Sequence, residues 1–203
     1  MAICLATQHC KPAFIPLALL YLKACLVERE GYAVDDVRIL EFGPKAPVDE
    51  IVGAMVDAGP DVLGLSCYVW NVKNLLTAAA AVKQRRPEMR IVLGGPEVGP
   101  VANQVLQGHP HVDVIVKSEG EIPLSEIVRA WSTDESLKRV TGICFRRGDA
   151  VIDTGEAPLV NDLGELPSPH LHRYADYTGR IVCGASSMRS GTSSSTICDS
   201  SCS

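Results

Sequence analysis

The 203-residue chain is 46% hydrophobic and 21% charged, a composition suited to one globular domain and part of another. Its net charge of −5 argues against a nucleic-acid partner, whose affinity rests on basic surface. No apolar run reaches the ~18 residues of a membrane span, and the opening MAICLAT lacks the basic region of a secretion signal, so no membrane association is expected. The chain therefore reads as cytoplasmic, with its eight cysteines as reduced thiols.

Taken in order, Ala2–Thr7 is a short apolar run and reads as a first strand, and QHCKPA (Gln8–Ala13) as a loop. Phe14–Glu30 repeats apolar residues at helical spacing and stops at Gly31. Val37–Phe42 is a second strand. Val48–Ala58 is a helix with Asp49 and Glu50 in its first turn, where the helix dipole favours them. Asp61–Ser66 is an almost unbroken apolar run, as in a strand buried on both faces.

Asn71–Arg86 follows as an alanine-rich helix, Arg90–Leu93 as the fourth strand and Val98–Gly108 as the next helix. Val112–Val116 and Ile122–Trp131 complete a fifth strand and helix. Five strand–helix units at roughly 25-residue spacing predict an α/β fold, a Rossmann-like doubly wound five-stranded parallel sheet.

Beyond Trp131 the pattern changes. Arg139–Phe145 and Ala150–Thr154 flank the turn Arg146-Arg147-Gly148-Asp149 and predict an appended C-terminal β-hairpin. The expected divisions are an α/β domain over 1–134, the hairpin over 135–157, a linker and the start of a further domain over 158–182, and a serine-rich tail over 183–203. His170–Thr178 reads as a short helix, Arg180–Cys183 as the start of a strand and the tail as disordered.

Open parallel sheets bind ligands at the carboxyl ends of their strands, which places Ser66 and the Gly94-Gly95 pair where a ligand would lie. A dinucleotide would require Gly-x-Gly-x-x-Gly after the first strand, but TQHCKPAF has no glycine, and a flavodoxin-type phosphate loop is missing as well. A phosphate-receiver domain would require carboxylates to hold Mg²⁺; Thr7 and Ser66 stand at those strand ends, and only Lys117 fits that pattern.

Ser66-Cys67-Tyr68 and Gly94-Gly95 resemble the Ser-x-Leu and Gly-Gly elements of cobalamin-binding domains, with Tyr68 where leucine is usual and twenty-five residues between Tyr68 and Gly94. Together GLSCYVWN, VLGGPEV and KSEGE resemble the cobalamin-binding domain that precedes a radical S-adenosylmethionine barrel, over about residues 1–182. The Ser118–Glu121 loop resembles that family's Gly-Glu-Gly-Glu loop, with Ser118 in place of glycine.

The resemblance implies a corrinoid pocket lined by Ser66, Cys67, Tyr68, Gly94, Gly95, Pro96, Glu97, Glu119, Gly120 and Glu121. In this picture a Cβ on either glycine would meet the cofactor's nucleotide tail, the Ser66 hydroxyl would meet a polar atom of its benzimidazole or ribose, and the carboxylates would accept ribose or amide hydrogen bonds. It assigns no catalytic residue. His9 stands at the offset of a cobalt-ligating histidine, but the aspartate that would orient it and the following glycine are replaced by Thr7 and Pro12, so no protein ligand to the metal is expected.

A complete relative implies a [4Fe–4S] cluster, S-adenosylmethionine and a radical barrel in cis, for methyl transfer or radical chemistry. Cys198 and Cys202 lack the third cysteine of a Cys-x3-Cys-x2-Cys loop. The chain is thus expected to be a fragment, truncated or frameshifted near Cys183, that binds without catalysing. The alternative is a ligand-free Rossmann-like protein interaction module.

Overall fold

The computed structural model describes residues 1–11, 14–160 and 162–169. The expected helix over 170–178, the strand at Arg180–Cys183, the serine-rich tail and the Cys198/Cys202 pair lie outside the described residues.

The strands are β1 (Ile3–Gln8), β2 (Val37–Phe42), β3 (Val62–Ser66), β4 (Arg90–Gly94), β5 (Val114–Val116), β6 (Ile143–Arg147) and β7 (Ala150–Asp153). The α-helices are α1 (Leu17–Glu28), α2 (Val48–Ala58), α3 (Val72–Arg85), α4 (Ala102–Gly108) and α5 (Glu121–Ser132). The strands form one sheet in the order β2-β1-β3-β4-β5-β6-β7. The first five are parallel, and β6 and β7 add antiparallel to β5, so the hairpin extends a sheet of seven strands instead of five. None of the helices is long and apolar enough to cross a membrane among the described residues.

The parity of each strand assigns its side chains to one of two cores. Ile3, Leu5, Val62, Val92 and Val114 face α1 and α5, meeting Leu19, Leu26, Leu124 and Ile127. Cys4, Ala6, Leu63, Leu65, Ile91 and Leu93 face α2, α3 and α4, meeting Ile51, Met55, Leu75, Ala79 and Leu106. Every residue of β1 is buried, as its central place in the sheet requires.

Several element starts differ from the sequence expectation. The hairpin's first strand begins at Ile143 instead of Arg139 and keeps Arg146 and Arg147 in the ladder, so its turn is Gly148-Asp149 alone. The fifth strand begins at Val114 instead of Val112. The fourth helix begins at Ala102 instead of Val98, because Gly99 presses against the Lys117 backbone closely enough to exclude a Cβ, and Pro100 follows it. The first helix begins at Leu17 behind Pro16, leaving Phe14 and Ile15 exposed ahead of it. At the other end of α2, Gly59 takes the left-handed conformation at φ 57° and stops the helix.

Candidate ligand-binding site

The order β2-β1-β3 reverses direction between β1 and β3, and an open α/β sheet parts at such a point to leave a crevice above the carboxyl ends of the strands. Polar side chains tie the strand ends together at that crevice. Asn71 is fully buried, and its Nδ2 donates to Gln8 O (2.9 Å) and Ser66 O (3.2 Å) while its Oδ1 accepts from Tyr68 N (2.7 Å). Thr7 Oγ1 donates to Ser66 O at 3.2 Å, and Gln8 Nε2 to Gly43 O and Ala46 O, each at 3.2 Å. The ends of β1 and β3 are thereby held at fixed positions.

On the α1–α5 side the same strand ends stay open, and a cleft of about 210 Å³ runs down between the sheet and the two helices. Its mouth carries Ser66, Tyr68, Ser118, Glu119 and Glu121. Its floor is hydrocarbon: Leu5, Val92 and Val116 from the strands and Leu19, Leu22 and Leu124 from the helices. Gly64 and Gly94 form its sheet wall, both on the strand face turned toward α1 and α5.

The adjacent glycines of the Gly94-Gly95 pair serve different ends. A Cβ on Gly94 would stand in the cleft, with nothing nearer than Val116 Cβ at 3.9 Å. Gly95 has φ +110°, and a Cβ there would lie 3.0 Å from Cys67 N and closer still to Cys67 O. Only Gly94 is small for the sake of the cleft; Gly95 is small because the β3 and β4 extensions touch, joined by Cys67 N donating to Gly94 O at 2.8 Å.

Seven of the ten residues expected in the pocket line one cleft: Ser66, Tyr68, Gly94, Gly95, Glu119, Gly120 and Glu121. The other three do not. Cys67 belongs to the α2–α4 core, its thiol 3.8 Å from Leu65 O, and burial pushes its pKa up to about 12. Pro96 and Glu97 fall in the turn that follows β4, outside the lining.

His9 turns toward β2, with its Nε2 2.8 Å from the Glu41 carboxylate. Lys117 points to the hairpin and pairs with Asp153 (2.8 Å) and Glu156 (3.1 Å) instead of entering the cleft.

Sequence reading passed over Gly64 and the apolar floor. A glycine in the middle of a buried strand forgoes packing and marks a close approach, so DVLGLS carried a legible signal for Gly64. A Cβ there would meet Leu5 Cδ2 at 2.8 Å. Leu19, Leu22 and Leu124 carried none, since a leucine lining a cleft and a leucine in a core are the same letter.

At the mouth, Tyr68 and Trp70 stack at 4.7 Å with their rings 4° from parallel, and Trp70 Nε1 donates to Gln8 O at 2.9 Å. Trp70 remains 44% exposed and Val69 72%, an apolar patch next to Tyr68.

The pattern of the B12 binding domain family matches residues 5–128, which span β1 to α5 and so the whole cleft. The chain belongs to the B12 binding domain family. This B12 binding domain is 37% identical over 127 residues to the cobalamin-dependent radical SAM methyltransferase TokK of Streptomyces tokunonensis, a stretch covering 62% of this chain and 18% of TokK. It is 32% identical over 152 residues to the anaerobic magnesium-protoporphyrin IX monomethyl ester cyclase of Synechocystis sp., covering 73% of this chain and 30% of the cyclase.

Its fold superposes on the cobalamin-dependent S-adenosylmethionine radical enzyme OxsB, solved with aqua-cobalamin and S-adenosylmethionine bound, with a TM-score of 0.68 at 18% identity, over 84% of this chain and 24% of OxsB. The radical S-adenosylmethionine methyltransferase TsrM of Kitasatospora setae gives 0.60 at 15% identity, over 83% of this chain and 31% of TsrM. The B12 binding domain thus spans between about a fifth and a third of the proteins it resembles.

Proposed function

We propose that the cleft between β3, β4, α1 and α5 holds the nucleotide tail of cobalamin, and that in a complete protein this domain serves a radical S-adenosylmethionine barrel in cis. The observation that carries the reading is the Gly64–Gly94 wall, where two strand residues forgo side chains above a hydrocarbon floor, beside a polar rim. At Gly94 the space is open, with Val116 Cβ nearest at 3.9 Å, while at Gly64 the Leu5 side chain of the floor takes the place of a Cβ. A flat, mostly apolar base fits the floor, and the ribose and amide groups joined to it fit the rim.

Ser66 offers a hydroxyl to a polar atom of the tail, and Glu119 and Glu121 accept hydrogen bonds from ribose or amide groups, with Gly120 letting that loop close against Leu22. Tyr68 and Trp70 present an apolar patch on which the rest of the cofactor would rest. His9 is given no metal role in this reading, since it turns toward Glu41 of β2 and does not line the cleft.

When bound, the corrinoid supplies methyl-group transfer, the chemistry named for TokK and TsrM. No residue of the cleft forms a general acid–base pair or an activated nucleophile, so this chain contributes binding and orientation. The five described cysteines are all free thiols, which supports a reducing, cytoplasmic setting.

The test is direct. Purified protein is mixed with hydroxocobalamin, desalted, and its visible spectrum recorded. Retained corrin absorbance at a one-to-one ratio is expected; a colourless protein overturns the reading.

A further inference from the structure

We infer that the floor of the cleft selects among complete corrinoids by the chemistry of the lower base, admitting a benzimidazole and rejecting a purine. This rests on the reading of the cleft as the site of the nucleotide tail. Below the level of Ser66 and Gly94, every lining side chain is hydrocarbon: Leu5, Leu19, Leu22, Val92, Val116 and Leu124. The strand backbone behind them is spent in the sheet, with Leu5 paired to Gly64 and Gly64 to Val92 in the parallel ladder. The polar side chains of the cleft stand at its mouth, in Ser66, Tyr68, Ser118, Glu119 and Glu121.

Dimethylbenzimidazole and adenine have similar outlines and differ in what their six-membered rings present. The first is a carbocycle bearing methyl groups. The second places ring nitrogens and an exocyclic amine at the corresponding edge. Buried against leucine and valine, those polar atoms lose their water and gain no partner, and such a loss discriminates strongly between ligands of equal shape. The methyl groups instead gain hydrocarbon contacts. Leu5 and Leu19 are sealed from solvent, so the edge of the base that reaches them meets no water.

The experiment compares retention of three corrinoids by the 203-residue chain: cobalamin, the analogue with adenine as lower base, and cobinamide, which lacks the nucleotide tail. Equilibrium dialysis with detection of corrin absorbance reads each affinity. Cobalamin is expected to bind at least about tenfold more tightly than the adenine analogue, with cobinamide weakest. Val116→Thr keeps the side-chain outline and adds a hydroxyl to the floor, and it should narrow the ratio of cobalamin to adenine analogue; Val92→Thr is the second variant if the first does not melt as a folded protein.

Equal affinity for the two bases overturns the inference, as does cobinamide binding as tightly as cobalamin, or a ratio unmoved in a folded threonine variant. Binding of none of the three overturns the cobalamin reading itself, an outcome distinct from binding without discrimination.

Discussion

Gly95 and Cys67 are in backbone contact: with φ at +110°, Gly95 leaves no room for a Cβ beside the Cys67 amide and carbonyl. The β3 and β4 extensions therefore meet at the head of the cleft. The wall below that junction is made by Gly94 and Gly64, and the two neighbouring glycines answer to different experiments.

Gly95→Val should impair folding, since it adds steric overlap to a left-handed backbone, at a cost on the order of 2–4 kcal/mol. Gly94→Val should leave the thermal midpoint nearly unchanged, because its Cβ meets only Val116 at 3.9 Å, while cobalamin retention falls at least about tenfold. Thermal melts and dialysis on both variants separate the roles. Retention by a folded Gly94→Val protein would place the tail elsewhere.

Asn71 is the buried polar pin of the switch point. Asn71→Leu would leave Tyr68 N without its side-chain acceptor, and Gln8 O and Ser66 O without the Nδ2 donor. Stranded buried groups of this kind cost about 1–3 kcal/mol each, so a total loss of about 3 kcal/mol is expected by urea unfolding. Cobalamin affinity should fall with it, because the same bonds position Ser66 and Tyr68.

His111 should make stability depend on pH near neutrality. Burial, then the neighbouring His109, holds its pKa below the ordinary 6.5, and its Nε2 is buried with no hydrogen-bond partner. Above pH 6.5 both folded and unfolded chains carry it neutral. As pH falls below 6.5 the unfolded chain takes up a proton that the folded chain resists, and stability drops until the folded pKa is passed. Melting temperatures between about pH 5 and 8 should show this slope, and His111→Gln should flatten it.

Lys117 ties the hairpin to the sheet. Burial alone would lower its pKa, but Asp153 and Glu156 raise it above the ordinary lysine value, and Asp153 is lowered in turn by Lys117 and by the Gly155 amide. Asp153→Asn should speed amide hydrogen exchange along β7 and cost about 1 kcal/mol or less, as the carboxylates are partly or fully exposed. The contribution from Asp153 should fade as pH falls through its lowered pKa. Cobalamin retention should not change, since Lys117 lies outside the cleft.

The alternation of strands and helices, the two strand ends that carry Ser66 and Gly94, and the family they resemble were all legible in the chain read residue by residue. Such features are local: burial on both faces makes Asp61–Ser66 continuously apolar, and Gly59-Pro60 ends a helix whatever lies around it. The Ser118–Glu121 loop was legible through its resemblance to the family's Gly-Glu-Gly-Glu loop after the fifth strand.

Which side of the sheet holds the cleft depends on the packing of the helices. Successive residues of a strand face opposite ways, so the assignment of Gly64, Ser66 and Gly94 to the α1–α5 side, and of Cys67 to the opposite core, depends on where each helix packs. Contact between distant segments set the rest: Gly95 against Cys67, His9 against Glu41, and leucines of α1 and α5 laid over the strands at Gly64 and Gly94. These pairings join residues that no short-range pattern relates, because the free energy that selects them comes from packing between elements and not from the preferences of any one of them.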